Sequence, residues 1–97
     1  METKTRLFNP GQIVMTYGVS ELYEVNTDFA LFVVTCMARH ARGDWGTVDA
    51  EDKAENDLSV TRHLRLLSAY ESPLHPKLWI ITEADRSSTT VLFPSEY

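Results

Sequence analysis

Leu66-Leu67-Ser68-Ala69-Tyr70, Leu78-Trp79-Ile80-Ile81-Thr82 and Ser88-Thr89-Thr90-Val91-Leu92-Phe93 follow one another in the last third of the chain. Nearly every residue of the middle run is a β-former. Ser72-Pro73 and His75-Pro76 mark a loop before it, Glu83-Ala84-Asp85-Arg86-Ser87 reads as a turn after it, and Pro94 stops the last run. Three strands joined by short connections predict an antiparallel meander.

Upstream of the meander the period changes. Phe29, Phe32, Val33, Cys36, Met37 and His40 fall at i, i+3, i+4, i+7, i+8 and i+11, one face of a helix. Asn26-Thr27-Asp28 supplies a cap signal before it. Arg39, His40 and Arg42 sit where the negative end of the helix dipole favours cations, and Gly43 suits the left-handed position that ends a helix. A third helix is expected from Asp49, with Glu51 and Asp52 at its positive end, running to about Leu58. Near the start, Gln12 to Tyr17 reads as a strand stopped by Gly18, and Ser20 as the cap of a short helix through about Val25. The predicted fold is a small α+β domain with the order β-α-α-α-β-β-β, an antiparallel sheet and helices packed on one face. Residues 1–7 are polar and expected to be loose, and 8–97 form the single domain.

At 97 residues and 43% hydrophobic, the composition is that of one folded globule. A net charge of -5 speaks against non-specific nucleic-acid binding, which needs clustered Lys and Arg. Cys36 is the sole cysteine, so no intrachain disulfide is possible, and its apolar setting makes it a core residue in a reducing cytoplasm. No signal peptide is apparent. The longest apolar run, Phe29 to Val34, is too short to span a bilayer.

The candidate site residues cluster in two places. Gly43-Asp44-Trp45-Gly46 is an aromatic-acidic loop whose Trp45 either plugs the core edge or projects as an interface anchor. Behind it, Asp44, Asp49, Glu51, Asp52, Glu55 and Asp57 face a single base, Lys53. Such a patch suits docking on a basic protein surface, or a solvated helix face. Glu83, Asp85 and Arg86 crowd the last turn, as a ligand site or a clamp on the hairpin. The spacing of His40, His63 and His75 fits no zinc site, no phosphate-cradling glycine loop occurs, and no cofactor is implied. Two further readings stay open: a nucleic-acid-binding regulator using Arg39, Arg42, Arg62 and Arg65, and a small hydrolase pairing His40 or His63 with Asp44 or Asp85.

Phe8-Asn9-Pro10-Gly11-Gln12-Ile13-Val14, Ala38-Arg39-His40 running into Gly43-Asp44-Trp45-Gly46, Asp52-Lys53-Ala54-Glu55-Asn56-Asp57, Leu66-Leu67-Ser68-Ala69-Tyr70 and residues 79–87 together resemble a family of small bacterial proteins. Its members carry labels such as "plasmid-related protein" or "type I restriction endonuclease subunit M". The resemblance spans residues 8–97 and implies a protein of mobile elements, with no activity to carry onto particular residues. The Asn-Pro-Pro-aromatic or Asp-Pro-Pro-aromatic motif of an adenine methyltransferase is absent, since Asn9-Pro10 is followed by Gly11-Gln12. The expectation is a cytoplasmic protein-binding module, an accessory or anti-defence factor. Asp44, Trp45, Asp49, Glu51, Asp52 and Glu55 would meet a basic surface on a host or mobile-element protein. Surplus apolar surface between Val19 and Thr35 suggests an oligomer seam.

Overall fold

A computed structural model describes residues 6–97. Seven elements follow in chain order: β1 (Gln12–Met15), α1 (Tyr17–Val25), α2 (Thr27–Ala41), α3 (Ala50–Arg62), β2 (Leu66–Ser72), β3 (His75–Thr82) and β4 (Ser88–Leu92). A single 3-10 turn, Pro94–Glu96, closes the chain. The fold is a small α+β domain with three α-helices and one four-stranded sheet. The expected looseness of residues 1–7 falls mostly on 1–5, outside the described residues; Leu7 N donates to Ala41 O at 2.8 Å.

Strands β2, β3 and β4 form the antiparallel meander, with Ser68 opposite Ile80 and Ile80 opposite Val91. The sheet is mixed, however, because β1 adds parallel to β4, with Gln12 opposite Ser88 and Met15 opposite Val91. This corrects the expected antiparallel sheet. Between β1 and its neighbour in the sheet lie three helices and two strands, so the chain returns along the same direction it set out.

Helix placement also departs from the expected single layer. Val19 of α1 and Phe29, Val33 and Cys36 of α2 form the core with Tyr70, Leu78, Ile80 and Val91 on one sheet face. By contrast, α3 sits against the outer margin of β2, where its buried residues are polar: Asn56 and Ser59. A helix with so little apolar surface has no stripe to lay on the core, so hydrogen bonds fix it in place.

Both predicted local caps on α2 and α3 form. Asn26 Oδ1 accepts from Phe29 N at 3.0 Å, and Asp49 Oδ1 accepts from Asp52 N at 2.8 Å. Helix α1 begins earlier than Ser20, at Tyr17, and Gly18 lies in its first turn. Glu96 supplies the cap from the far end of the chain. Its Oε2 accepts from Gly18 N at 2.8 Å and its Oε1 from Thr16 Oγ1 at 2.6 Å. Those bonds hold the Glu96 carboxyl below its ordinary pKa. Strand β3 likewise starts at His75, inside the expected loop, where His75 pairs with Ser72 of β2 and its ring stacks on Phe32 with centroids 5.1 Å apart.

Candidate functional site

Loop 43–49 and the margin of β2 build one unit. Gly46 forms a parallel bridge to Ala69. Ala69 N donates to Trp45 O at 3.2 Å, and Thr47 N donates to Ala69 O at 2.7 Å. Gly46 has φ +76°, and a Cβ there would lie 1.8 Å from Ala69 O, so only glycine permits this approach. One residue pair along, Asn56 Nδ2 donates to Leu67 O at 2.8 Å, and Leu67 N donates to Asn56 Oδ1 at 3.3 Å. The side-chain amide of Asn56 thus stands in for a peptide of a neighbouring strand.

Trp45 is 3% exposed. Its ring packs edge-on against His40 at 5.6 Å and stacks with Phe8 at 6.4 Å. The indole N–H donates to Asp57 Oδ1 at 2.9 Å. Of the two orientations open from sequence, the side chain takes the inward one, so Trp45 ties α3 to the sheet instead of presenting an anchor. Asp44 is exposed but engaged: both carboxylate oxygens accept from the Arg39 guanidinium, at 2.7 and 3.1 Å. That pairing, helped by the Gly46 N–H, lowers the Asp44 pKa and raises that of Arg39. Asp49, Glu51, Asp52 and Glu55 are all exposed.

In the last turn, Arg86 acts as a clamp on α3. Its Nη1 donates to Leu64 O at 2.7 Å and to Glu83 O at 3.1 Å, and its Nη2 donates to Ser59 O at 2.8 Å. Asp85 takes no part in it. Asp85 accepts from Ser87 N at 3.0 Å, and its pKa is lowered by Ser87. Glu83 lies 4.0 Å from Arg65.

Sequence reasoning missed a buried polar chain across the sheet. Thr89 Oγ1 donates to the Pro10 carbonyl at 2.7 Å. That bond uses its only proton, so Thr82 Oγ1 donates to Thr89 at 2.6 Å and accepts from His40 Nε2 at 2.8 Å. His40 Nδ1 is then the bare nitrogen, and Ser68 Oγ donates to it. Burial, with Arg86 nearby, pushes the His40 pKa down to about 3, which keeps the ring neutral as this proton order requires. A serine donating to an imidazole is the arrangement of a nucleophile and its base. Here both residues are 0% exposed, and the second ring nitrogen meets a threonine instead of a carboxylate. Both side chains lie inside the core, where this polar chain ties α2 to the sheet. The only signal of it in the sequence was a histidine on the apolar face of a helix.

The histidine–carboxylate pairing does not form: His40 bonds no carboxylate, and His63 is exposed at the left-handed C-cap of α3. Arg39 is spent on Asp44 and lies 4.8 Å over the Tyr70 ring, while Arg65 covers Tyr97 at 5.5 Å and donates to its hydroxyl. Cys36 is 1% exposed, and burial raises its pKa to about 11, which makes it a poor nucleophile. Among the described residues, no group of three or more His, Cys, Asp or Glu is placed to hold a metal ion, and no helix is long and apolar enough to cross a membrane. Compared with known proteins, the chain matches no family profile, no curated protein and no solved structure.

Proposed function

We propose that this chain is a non-catalytic docking module. Its acidic helix α3 engages a basic surface on a partner protein in the cytoplasm. One observation carries the reading: α3 is held to the body by hydrogen bonds along its length while acids of its first half stay open to solvent. Asn56, Ser59 O and Asp57 bind Leu67, Arg86 and Trp45, and Glu51, Asp52 and Glu55 are left exposed with Lys53 the one base among them. A rigidly held charged surface binds without an ordering penalty and steers encounter with an oppositely charged one. Asp44 and Asp49 lie beside this surface but already serve Arg39 and the helix cap. Trp45 contributes from beneath by holding α3 in place.

The resemblance to mobile-element proteins makes a host nuclease or restriction complex the partner to try first, with this chain as an anti-defence accessory. The test is capture from nuclease-treated bacterial lysate. The parent chain is compared with a Glu51→Lys, Asp52→Lys, Glu55→Lys variant that retains Asp49 and so its cap. A stoichiometric protein held by the parent and lost by the variant is the expected result. A partner held equally by both, or none held by either, overturns the proposal.

A further inference from the structure

The helices of this fold are held by different means. Helix α2 buries Phe29, Val33 and Cys36 in the core, and α1 buries Val19. Helix α3 supplies no residue to that core. Its two buried residues, Asn56 and Ser59, are polar, and Leu58, its largest apolar side chain, is 47% exposed. Hydrogen bonds hold it to the body at three points. The Asn56 amide meets Leu67 N and O, Asp57 accepts from the Trp45 indole, and the Ser59 carbonyl accepts from Arg86 Nη2. Water replaces each of these bonds when the helix lifts, so the net cost of breaking one is small. No apolar stripe like that of α2 has to be wetted. On the near side, Thr47 N on Ala69 O is the last bond of the loop to the sheet. On the far side, His63 ends the helix in the left-handed region at φ 57°.

We infer that α3 is a detachable cover on the β2 margin. It leaves the sheet as one unit, hinged at Val48-Asp49 and at His63, while the meander, α1 and α2 stay folded. Freed from the sheet, a helix of 13 residues is marginal in water, so it melts as it lifts. Helix α2 has no such motion, because withdrawing Phe29 opens the core and unfolds the whole domain. Opening of α3 bares one rung of the sheet, the N–H and C=O of Leu67, beside the freed Trp45 indole N–H and one arm of Arg86. In the closed form the Asn56 amide occupies the place that the peptide of a neighbouring strand would take. The contact is therefore autoinhibitory: that rung is open to strand pairing only with the cover off. The next outward rung, Ala69, stays sealed, because its bridge belongs to loop 43–47 and not to α3. The closed form is the bulk of the population and keeps the acids of α3 in their fixed arrangement. The device does not depend on which partner that surface meets.

Native-state hydrogen exchange on the full chain, followed amide by amide by NMR, tests the cover. The amides in the middle of α3 and that of Leu67 are expected to exchange through one shared opening, with equal protection and equal urea dependence. That opening should be at least about tenfold more frequent than the one that exposes Ile80 and Val33. Ala69, sealed by the loop, should stay with the slow group. Asp57→Ala removes one of the three anchors at an exposed position. It should quicken the α3 and Leu67 amides together by about tenfold, with Val33, Ile80 and Ala69 unchanged. Exchange of α3 and Leu67 only along with the slow group overturns the inference, as does exchange of α3 at a protection different from that of Leu67. So does an Asp57→Ala variant in which every amide quickens alike.

Discussion

The two margins of this sheet are finished in opposite ways. Along β2, the outward backbone groups of Leu67 and Ala69 are answered by the Asn56 amide and by the backbone of Trp45 and Thr47. Along β1, those of Ile13 and Met15 meet nothing among the described residues. An unpaired edge is a template for association, and one of the two margins is closed against it. The closed margin is built without a further strand. A three-residue bridge and one side chain do the work, and both depend on close approach.

Close approach makes Gly46 the most sensitive position of the closed margin. A methyl group there would meet Ala69 O at 1.8 Å with the backbone held at φ +76°. Left-handed strain of about 1–3 kcal/mol adds to overpacking of about 1–3 kcal/mol. Gly46→Ala is therefore expected to cost about 4 kcal/mol in urea unfolding, more than any single change on β1. A loss under about 1 kcal/mol would mean that the loop can lift off β2.

Acid should act on both margins at once. The polar chain runs from Ser68 in β2 through His40, Thr82 and Thr89 to Pro10, just before β1. The His40 pKa is about 3 in the fold and about 6.5 when unfolded. Between those values the unfolded chain binds the extra proton. Stability is then full above pH 6.5 and falls by about 1.4 kcal/mol per unit below it, about 3 kcal/mol by pH 4. The lowered carboxyls of Asp44, Asp85 and Glu96 act in the same direction, but only below their unfolded values near about 4. Denaturant midpoints measured from pH 7 to 4.5 isolate the histidine, and His40→Gln should flatten that slope.

A smaller effect sharpens the comparison at one rung. Asn56→Leu keeps the approximate volume but leaves Leu67 N–H and C=O without partners, an expected loss of about 2 kcal/mol. Hydrogen exchange at the Leu67 amide should quicken more than at Ser68, whose strand partner Ile80 is untouched. Equal quickening would show that β2 itself had come away from β3.

What could be read from the sequence follows the range of the interactions. The stripe from Phe29 to His40 and the caps at Asn26 and Asp49 act within one or three turns, and all appear where expected. The meander was legible because its strands are sequential neighbours. The start of α1 was not, since its cap is Glu96, 78 residues from Gly18. Nor was the parallel seat of β1 on β4, which no local pattern encodes. Of the candidate site, the exposure of the acids on α3 was foreseen, whereas the inward turn of Trp45 depends on Asp57, Phe8 and His40 meeting around one ring. The amide of Asn56 looked like one more polar residue on a polar helix.

At the bare margin the expected effect is the smallest. Val14 is 40% exposed and pairs only with Thr90, so Val14→Lys should shift the stability of the chain by less than about 0.5 kcal/mol in urea unfolding. No cover closes this margin, so the opening of α3 has nothing to release there. The Thr16 amide, bonded to Val91 O, should therefore keep its exchange rate in Asn56→Leu while that of Leu67 quickens. If the two amides instead quickened together, the margins would not be independent, and the cover on β2 would also be holding β1 in its seat.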